Sequence, residues 1–248
     1  MSMAGGVPLA AVPREAEMHS ATVHELPDLR DRPGVFDDRR DAGRILAGML
    51  ERYAGSDALV LAIPSGGVPV ALEIAGALGL DLDVAVVSKI LFPWTTEAGF
   101  GAVAFDGTVW VDPGRMLGMT DSMIERQIEA ARTKVRRRMR RLRGDRPLPR
   151  LEGRTAILVD DGLASGSTMR VAVSAVRGLQ PDAVVVAVPT GHAHTVSAMA
   201  RRVDAIYCPN VRSGTPFAVA DAYRRWYDED EEQVARLLEQ WRRTREAP

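Results

Sequence analysis

The feature that most constrains the fold is an apolar run that ends in two carboxylates and a loop of small residues. Residues 156–159 are Ala, Ile, Leu and Val, and Asp160 and Asp161 follow directly. Residues 162–168 are then mostly Gly, Ala, Ser and Thr, and residues 169–178 have a helical pattern. This order predicts a buried strand, a polar turn and a helix. Ligands of α/β sheets bind beyond the carboxyl ends of strands, and a helix start attracts phosphate, so the pattern indicates a site for a ligand such as a sugar phosphate.

Two common phosphate-binding motifs do not fit this loop. A P-loop requires a lysine after its last glycine, but Ser167 follows Gly166, and the spacing from Gly162 to Gly166 is not the dinucleotide fingerprint. A purely structural alternative is that Asp160 and Asp161 cap a turn that the small residues shape.

The composition narrows the class of protein. The chain has 248 residues, enough for one α/β domain with peripheral additions, and its net charge of -1 argues against nucleic acid or an anionic membrane as a partner. The single cysteine, Cys208, excludes an intramolecular disulfide framework and is typical of a reducing compartment. No apolar run approaches the roughly 18 residues of a membrane span, and the first residues lack a signal-peptide pattern. We therefore expect a cytoplasmic protein without a membrane anchor.

The order of apolar patterns predicts an α/β domain in which helices join parallel strands by right-handed crossovers. Residues 101–105 and 108–111 flank Asp106-Gly107, which is the turn signal of a β-hairpin. The remaining predicted strands cover residues 58–63, 82–87, 155–159, 183–188 and 203–208, and the predicted helices cover about 37–53, 68–78, 120–142, 169–178 and 196–201.

Three regions follow from the composition along the chain. Residues 1–33 are predicted to be an extension, either partly disordered or packed against the domain or a partner subunit. Residues 34–228 form the main domain, and 229–248 a terminal packing helix with acidic residues at its start. One helix is strongly basic, and for it a solvated surface is favoured over a nucleic-acid patch. Its basic residues are Arg132, Lys134, Arg136, Arg137, Arg138, Arg140, Arg141 and Arg143.

Other polar groups follow the remaining predicted strands. Pro64-Ser65-Gly66-Gly67 follows residues 58–63, and its glycines allow a backbone to approach phosphate or simply to turn tightly. Lys89 comes directly after the second predicted strand, where it supplies positive charge to a ligand or lies on the surface. His192 and His194 follow another strand, and a loop or acceptor-contact role is favoured over metal binding for them.

The residues around Asp160 resemble the phosphoribosyl diphosphate motif of type I phosphoribosyltransferases, and the resemblance extends over about residues 36–228. Residues 63–70 resemble the diphosphate loop of a group of predicted phosphoribosyltransferases of unknown acceptor, in which Arg is common at the position of Ser65. Residues 88–103 resemble the mobile-loop region of that group, and residues 218–227 resemble its late acceptor-side signature.

This resemblance implies a fold and an activity. The implied fold is a three-layer domain with a central mainly parallel sheet, a hairpin or mobile-loop insertion and a small hood. The implied reaction is transfer of a 5-phosphoribosyl group from 5-phosphoribosyl 1-diphosphate to an unidentified acceptor, such as a nitrogenous base, with release of diphosphate. Mg²⁺ is expected as the cofactor, held chiefly through substrate oxygens, and a homodimer is expected.

The resemblance implies catalytic and substrate-binding roles for particular residues. Asp160, Asp161 and Lys89 are the predicted catalytic residues. The predicted substrate-binding residues are Ser65, Gly66, Gly67, Asp160, Asp161, Ala164, Ser165, Gly166, Ser167 and Thr168. Family members that act on 6-oxopurines carry Asp at the position of Ala164, which weakens an assignment to hypoxanthine or guanine. The alternative function is a regulatory module that binds phosphoribosyl diphosphate without turnover, because one scaffold can serve both roles.

Overall fold

The predicted alternation of strands and helices forms a six-stranded parallel sheet in the computed structural model, which describes residues 21–96 and 98–246. The strands of this part of the chain are β1 (Thr22–His24), β2 (Leu59–Ala62), β3 (Asp81–Val84), β4 (Val87–Leu91), β5 (Gly99–Ala104), β6 (Val109–Val111), β7 (Thr155–Val159), β8 (Ala183–Ala187), β9 (Thr190–His192), β10 (Ala205–Tyr207) and β11 (Asn210–Arg212). The main sheet has the order β1-β10-β8-β7-β2-β3, and every neighbouring pair in it is parallel.

Helices cover both faces of this sheet. They are α1 (Arg39–Met49), α2 (Gly67–Leu78), α3 (Asp121–Arg143), α4 (Ser167–Arg177), α5 (Ala193–Ala200) and α6 (Glu231–Glu246). Side chains cap two of the helix starts: Asp38 accepts a hydrogen bond from the Asp41 amide, and Thr120 accepts one from the Met123 amide. None of the described helices combines the length and the apolar character that a membrane crossing requires.

The two faces of β7 show why its sequence is continuously apolar. Ile157 and Val159 belong to the apolar cluster on the face of α2 and α3, whereas Ala156 and Leu158 belong to the cluster on the face of α4 and α5. All four side chains are fully buried, as expected for a central parallel strand with helices on both sides.

The chain reverses its direction of travel across the sheet between β2 and β7. From β2 the chain passes through α2 to β3 on one side, and from β7 it passes through α4 to β8 on the other side. A crevice opens at such a switch point, outside the carboxyl ends of the two strands. Residues 64–67, which we call the Ser65 loop, and Asp160 and Asp161, which we call the acid pair, both begin there.

The structure corrects one predicted strand. Residues 82–87 do not form a single strand, because β3 ends at Val84 and Val87 begins β4 in a separate antiparallel sheet, β4-β5-β6. Lys89 consequently lies within β4, not after a strand of the main sheet. The pattern could not show this break because residues 84–87 are buried throughout. The predicted hairpin is confirmed as β5 and β6, with Gly107 in the turn at φ 91°.

The first described strand, β1, and the last helix, α6, both pack onto the domain. Residues 22–24 form edge strand β1 beside β10, which agrees with packing rather than disorder for that part of the predicted extension. Residues 1–20 lie outside the described residues. Helix α6 packs against α2 and α3, and its Val234 and Leu238 are buried. Strands β9 and β11 form a separate two-stranded parallel sheet.

Candidate functional site

The acid pair and the Ser65 loop are in direct contact. Ala62 pairs with Val159 at the ends of β2 and β7, so both loops leave the sheet side by side. A Cβ atom on Gly66 would lie 2.5 Å from Asp161 Cγ, and one on Gly67 would lie 2.5 Å from the Val159 carbonyl oxygen. Because real Cβ atoms essentially never come within 3.0 Å of another heavy atom, this approach requires both glycines. The structure therefore brings the two predicted ligand loops into one cleft.

The loop between the acid pair and α4 is held by a hydrogen bond to α5, and two of its residues are exposed to solvent. Gly166 precedes α4 in a left-handed conformation, with φ 74°, and has no side chain to cap the helix, although the Ser167 amide donates a long hydrogen bond of 3.5 Å to the Ser165 hydroxyl. The first amides of α4 therefore have no partner within the helix. Thr195 donates a hydrogen bond to the Ala164 carbonyl at 2.7 Å, which fixes the loop to α5. Ala164 and Ser165 remain exposed, as an anion-binding helix start requires.

Arg39 binds Asp161, although no local sequence pattern indicates Arg39 as a site residue. The Nε and Nη2 atoms of Arg39 both lie 2.9 Å from Asp161 Oδ2, and its Nη1 atom donates to the Tyr227 carbonyl at 2.8 Å. The guanidinium lies 3.9 Å from the centre of the Trp226 ring, and only 5% of the Arg39 side chain is exposed. In the sequence Arg39 lies in a run of alternating charge, residues 37–41, which looks like ordinary helix surface.

The two aspartates are therefore not equivalent. Among the described residues Asp160 has no ion-pair partner, and its Oδ1 atom accepts a hydrogen bond from the Asp161 amide at 2.9 Å. Burial raises the pKa of Asp160 well above its usual range, and the charge of Asp161 raises it further. Burial also raises the pKa of Asp161, but Arg39 opposes that shift. Arg39 thus binds and orients the Asp161 carboxyl group, whereas Asp160 is the member of the pair without a cation among the described residues.

Residues near the C-terminal end of the domain contact Asp161 and Arg39. Tyr223 donates a hydrogen bond from its hydroxyl to the Asp161 carbonyl at 2.6 Å. Glu229 lies 3.5 Å from Arg39 Nη1 with 1% of its side chain exposed, and its oxygens have no hydrogen-bond partner within the described chain. Burial raises the pKa of Glu229. The segment resembling an acceptor-side signature thus contacts Arg39 and Asp161 in this structure.

A cavity of about 530 Å³ adjoins the Ser65 loop and carries positive charge. Lys89 lies on its wall and is exposed. Lys134 and Arg138 of α3 line the same cavity, and Arg138 is 8% exposed, so it is not part of the solvated helix surface that the sequence predicted. The described residues that line it are Pro64, Val87, Ser88, Lys89, Leu91, Thr96, Lys134, Arg138 and Thr168.

The remaining candidates lie to the side of this cleft. His192 precedes α5 and meets the Phe217 ring edge-on at 5.6 Å, whereas His194 is exposed. Within residues 21–96 and 98–246, no group of three or more His, Cys, Asp or Glu side chains is arranged to hold a metal ion. Cys208 is buried, and burial raises the pKa of its thiol, which disfavours the reactive thiolate.

Comparisons with known proteins agree with this geometry. A protein of Mycobacterium tuberculosis named "Putative phosphoribosyl transferase" is 37% identical over 210 residues, which cover 83% of this chain and 46% of that protein. This chain thus spans about half the length of that relative. A crystal structure of a Thermus thermophilus protein superposes with a TM-score of 0.68 at 35% identity, covering 83% of this chain and 98% of the other.

The family model agrees in extent with the domain seen here. The model described as the phosphoribosyl transferase domain matches residues 37–221, which run from the start of α1 to the segment that supports Asp161. The chain therefore belongs to the phosphoribosyl transferase domain family.

Proposed function

We propose that this protein transfers a 5-phosphoribosyl group from 5-phosphoribosyl 1-diphosphate to a small acceptor and releases diphosphate. The observation that carries the proposal is the contact of Gly66 and Gly67 with the acid pair. The contact supports the proposal because it brings together, beside Asp160, two loops that offer backbone amides, an arrangement that suits a sugar with a phosphate at each end.

Each part of the ligand then has a partner in the cleft. The 5-phosphate accepts hydrogen bonds from the amides of residues 165–168 at the start of α4. The ribose hydroxyls donate to Asp160, while Asp161, oriented by Arg39, adds negative charge beneath the ring. The diphosphate lies along the Ser65 loop, beside Lys89.

The reaction needs positioning and charge more than a protein nucleophile. The bond between ribose C1 and the diphosphate oxygen breaks with its electrons going to diphosphate, and an electron pair of the acceptor forms the new bond to C1. Positive charge develops on the sugar, as in glycoside cleavage, and the aspartates stabilise it. The cationic wall around Lys89 stabilises the departing anion.

The residues of the cleft fit Mg²⁺ held mainly by the substrate. Mg²⁺ is commonly bound through one or two carboxylates together with substrate phosphates, and Asp160 is a carboxylate without an ion-pair partner among the described residues. When bound, the ion neutralises charge on the leaving diphosphate. A cytoplasmic location and a homodimer are part of the same proposal.

The proposal is tested with purified protein, phosphoribosyl diphosphate and MgCl₂ against a panel of nitrogenous acceptors. Diphosphate release and ribosylated product are measured together, and the Asp160→Asn variant is the matched control because it keeps the shape of the side chain. We expect stoichiometric product and diphosphate from the wild type and a loss of at least about 100-fold in the variant. Tight binding without any diphosphate release across the panel would instead favour a module that senses phosphoribosyl diphosphate.

A further inference from the structure

We infer that helix α3 supplies the diphosphate-binding charge of the cleft through Arg138 and Lys134. This inference rests on the proposed function and assigns the leaving-group subsite to a helix that the sequence treated as solvent-facing. It names two binding residues that lie far along the chain from both ligand loops.

The contacts of Arg138 aim its guanidinium at the Ser65 loop. Its Nη2 atom donates to Ser65 Oγ at 3.2 Å, its Nη1 atom to the Val87 carbonyl at 3.4 Å and its Nε atom to Glu231 at 3.0 Å. Each Nη atom carries a second hydrogen, so two donors remain beyond these contacts. Since Arg138 also lines the cavity, an anion lying on the Ser65 loop is within reach of them.

The charged side chains that the structure describes on the cavity wall are all positive. Lys89, Lys134 and Arg138 contribute three cations, and the lining residues that the structure describes include no carboxylate. Neither Lys89 nor Lys134 forms an ion pair with any residue that the structure describes. Glu231 is the one acidic partner of Arg138, and burial lowers the pKa of that guanidinium. A multiply charged anion is the ligand that relieves this imbalance, because clustered cations in a partly desolvated wall repel one another.

The Ser65 loop cannot provide this charge by itself. Residues 64–67 are Pro, Ser, Gly and Gly, which offer amides and one hydroxyl but no cation. The small side chain of Ser65 leaves room for the Arg138 guanidinium and accepts its hydrogen bond. Thr168, from the start of α4, lines the same cavity. A ligand with its 5-phosphate on α4 and its diphosphate on the Ser65 loop thus has its diphosphate end facing α3.

The test compares three ligands by calorimetry: phosphoribosyl diphosphate, inorganic diphosphate and ribose 5-phosphate. The variants are Lys134→Met and Arg138→Met, with Arg140→Met as the matched control, since it removes one charge from an exposed position of α3 outside the cavity. We expect Lys134→Met to weaken inorganic diphosphate binding about 5- to 10-fold and Arg138→Met about 10- to 100-fold. Ribose 5-phosphate affinity should stay within twofold, and Arg140→Met should match the wild type for all three ligands.

The outcomes separate this inference from the proposed function. Lys134 is exposed, so its variant tests the inference even if Arg138→Met does not fold. If the wild type binds diphosphate and every variant that folds binds it with the same affinity, the α3 assignment is overturned and the proposed function stays in place. A wild type that binds diphosphate through Lys134 but not phosphoribosyl diphosphate would keep the anion site and overturn the proposed function. A wild type that binds none of the three ligands would overturn both.

Discussion

Replacing Gly66 by Ala tests the contact between the two ligand loops. Gly66 has φ -60° and ψ -32°, which any residue adopts, so alanine meets no backbone strain there. The new Cβ atom would lie 2.5 Å from Asp161 Cγ and closer still to Oδ2. The Asp161 carboxylate cannot turn aside freely, because two Arg39 nitrogens bind it at 2.9 Å.

The expected cost follows from this geometry. One of the two loops must shift by about 1 Å or more, and overpacking of this kind typically costs about 1–3 kcal/mol. A misplacement of about 1 Å in a positioned site reduces catalysis by about 100-fold. We therefore expect Gly66→Ala to lower the free energy of unfolding by about 1–3 kcal/mol and to weaken phosphoribosyl diphosphate binding at least tenfold.

Gly76, which lies within α2, provides the control. A Cβ atom on Gly76 would meet its nearest neighbour, Trp241 Cζ3, at 3.7 Å, an ordinary van der Waals distance. Gly76→Ala should therefore stabilise the protein by about 0.5–1 kcal/mol, the usual gain in a helix interior, and leave ligand affinity unchanged. Urea unfolding and calorimetry measure both quantities. Gly66→Ala with the stability and affinity of Gly76→Ala would refute the proposed contact.

Three further predictions concern the support of the acid pair. Arg39→Met should lower the free energy of unfolding by about 3–5 kcal/mol in urea titrations, since it leaves Asp161 buried without its cation. Tyr223→Phe should cost about 1–2 kcal/mol by the same measurement, because the Asp161 carbonyl loses its buried donor. Asp160→Asn should stabilise the ligand-free protein at pH 7, because a carboxyl whose folded pKa is raised destabilises the fold progressively as the pH rises from its unfolded pKa, about 4, to its folded pKa. The stabilisation should vanish as the pH falls to about 4, and equal melting temperatures of wild type and Asp160→Asn at pH 7 would contradict it.

The sequence predicted the strand, loop and helix around the acid pair well because these elements depend on adjacent residues. The observed β7 has the predicted bounds, and the helix after the loop begins two residues earlier than predicted. Apolar continuity, the acid pair and the small residues all act within one stretch of about a dozen residues, so their order was sufficient. The Asp106-Gly107 turn was recognisable for the same reason.

Contacts between distant residues were not recognisable. Arg39 and Asp161 are 122 positions apart, and Arg138 and Ser65 are 73 apart, so no local pattern marks either pair. Both arginines lie in charge-rich segments where burial cannot be inferred from sequence. The resemblance implies that Arg is common at the position of Ser65, and its replacement by Ser is a signal that favours a cation supplied from another part of the chain. The roles of the individual site residues stay predictions.

The most direct measurement is a crystal structure of the protein with phosphoribosyl diphosphate and Mg²⁺. The account predicts the 5-phosphate on the amides of residues 165–168, the ribose hydroxyls on Asp160, and the diphosphate between the Ser65 loop and Arg138. Density for the ribose away from Asp160, or for the diphosphate outside the cavity beside α3, would contradict it.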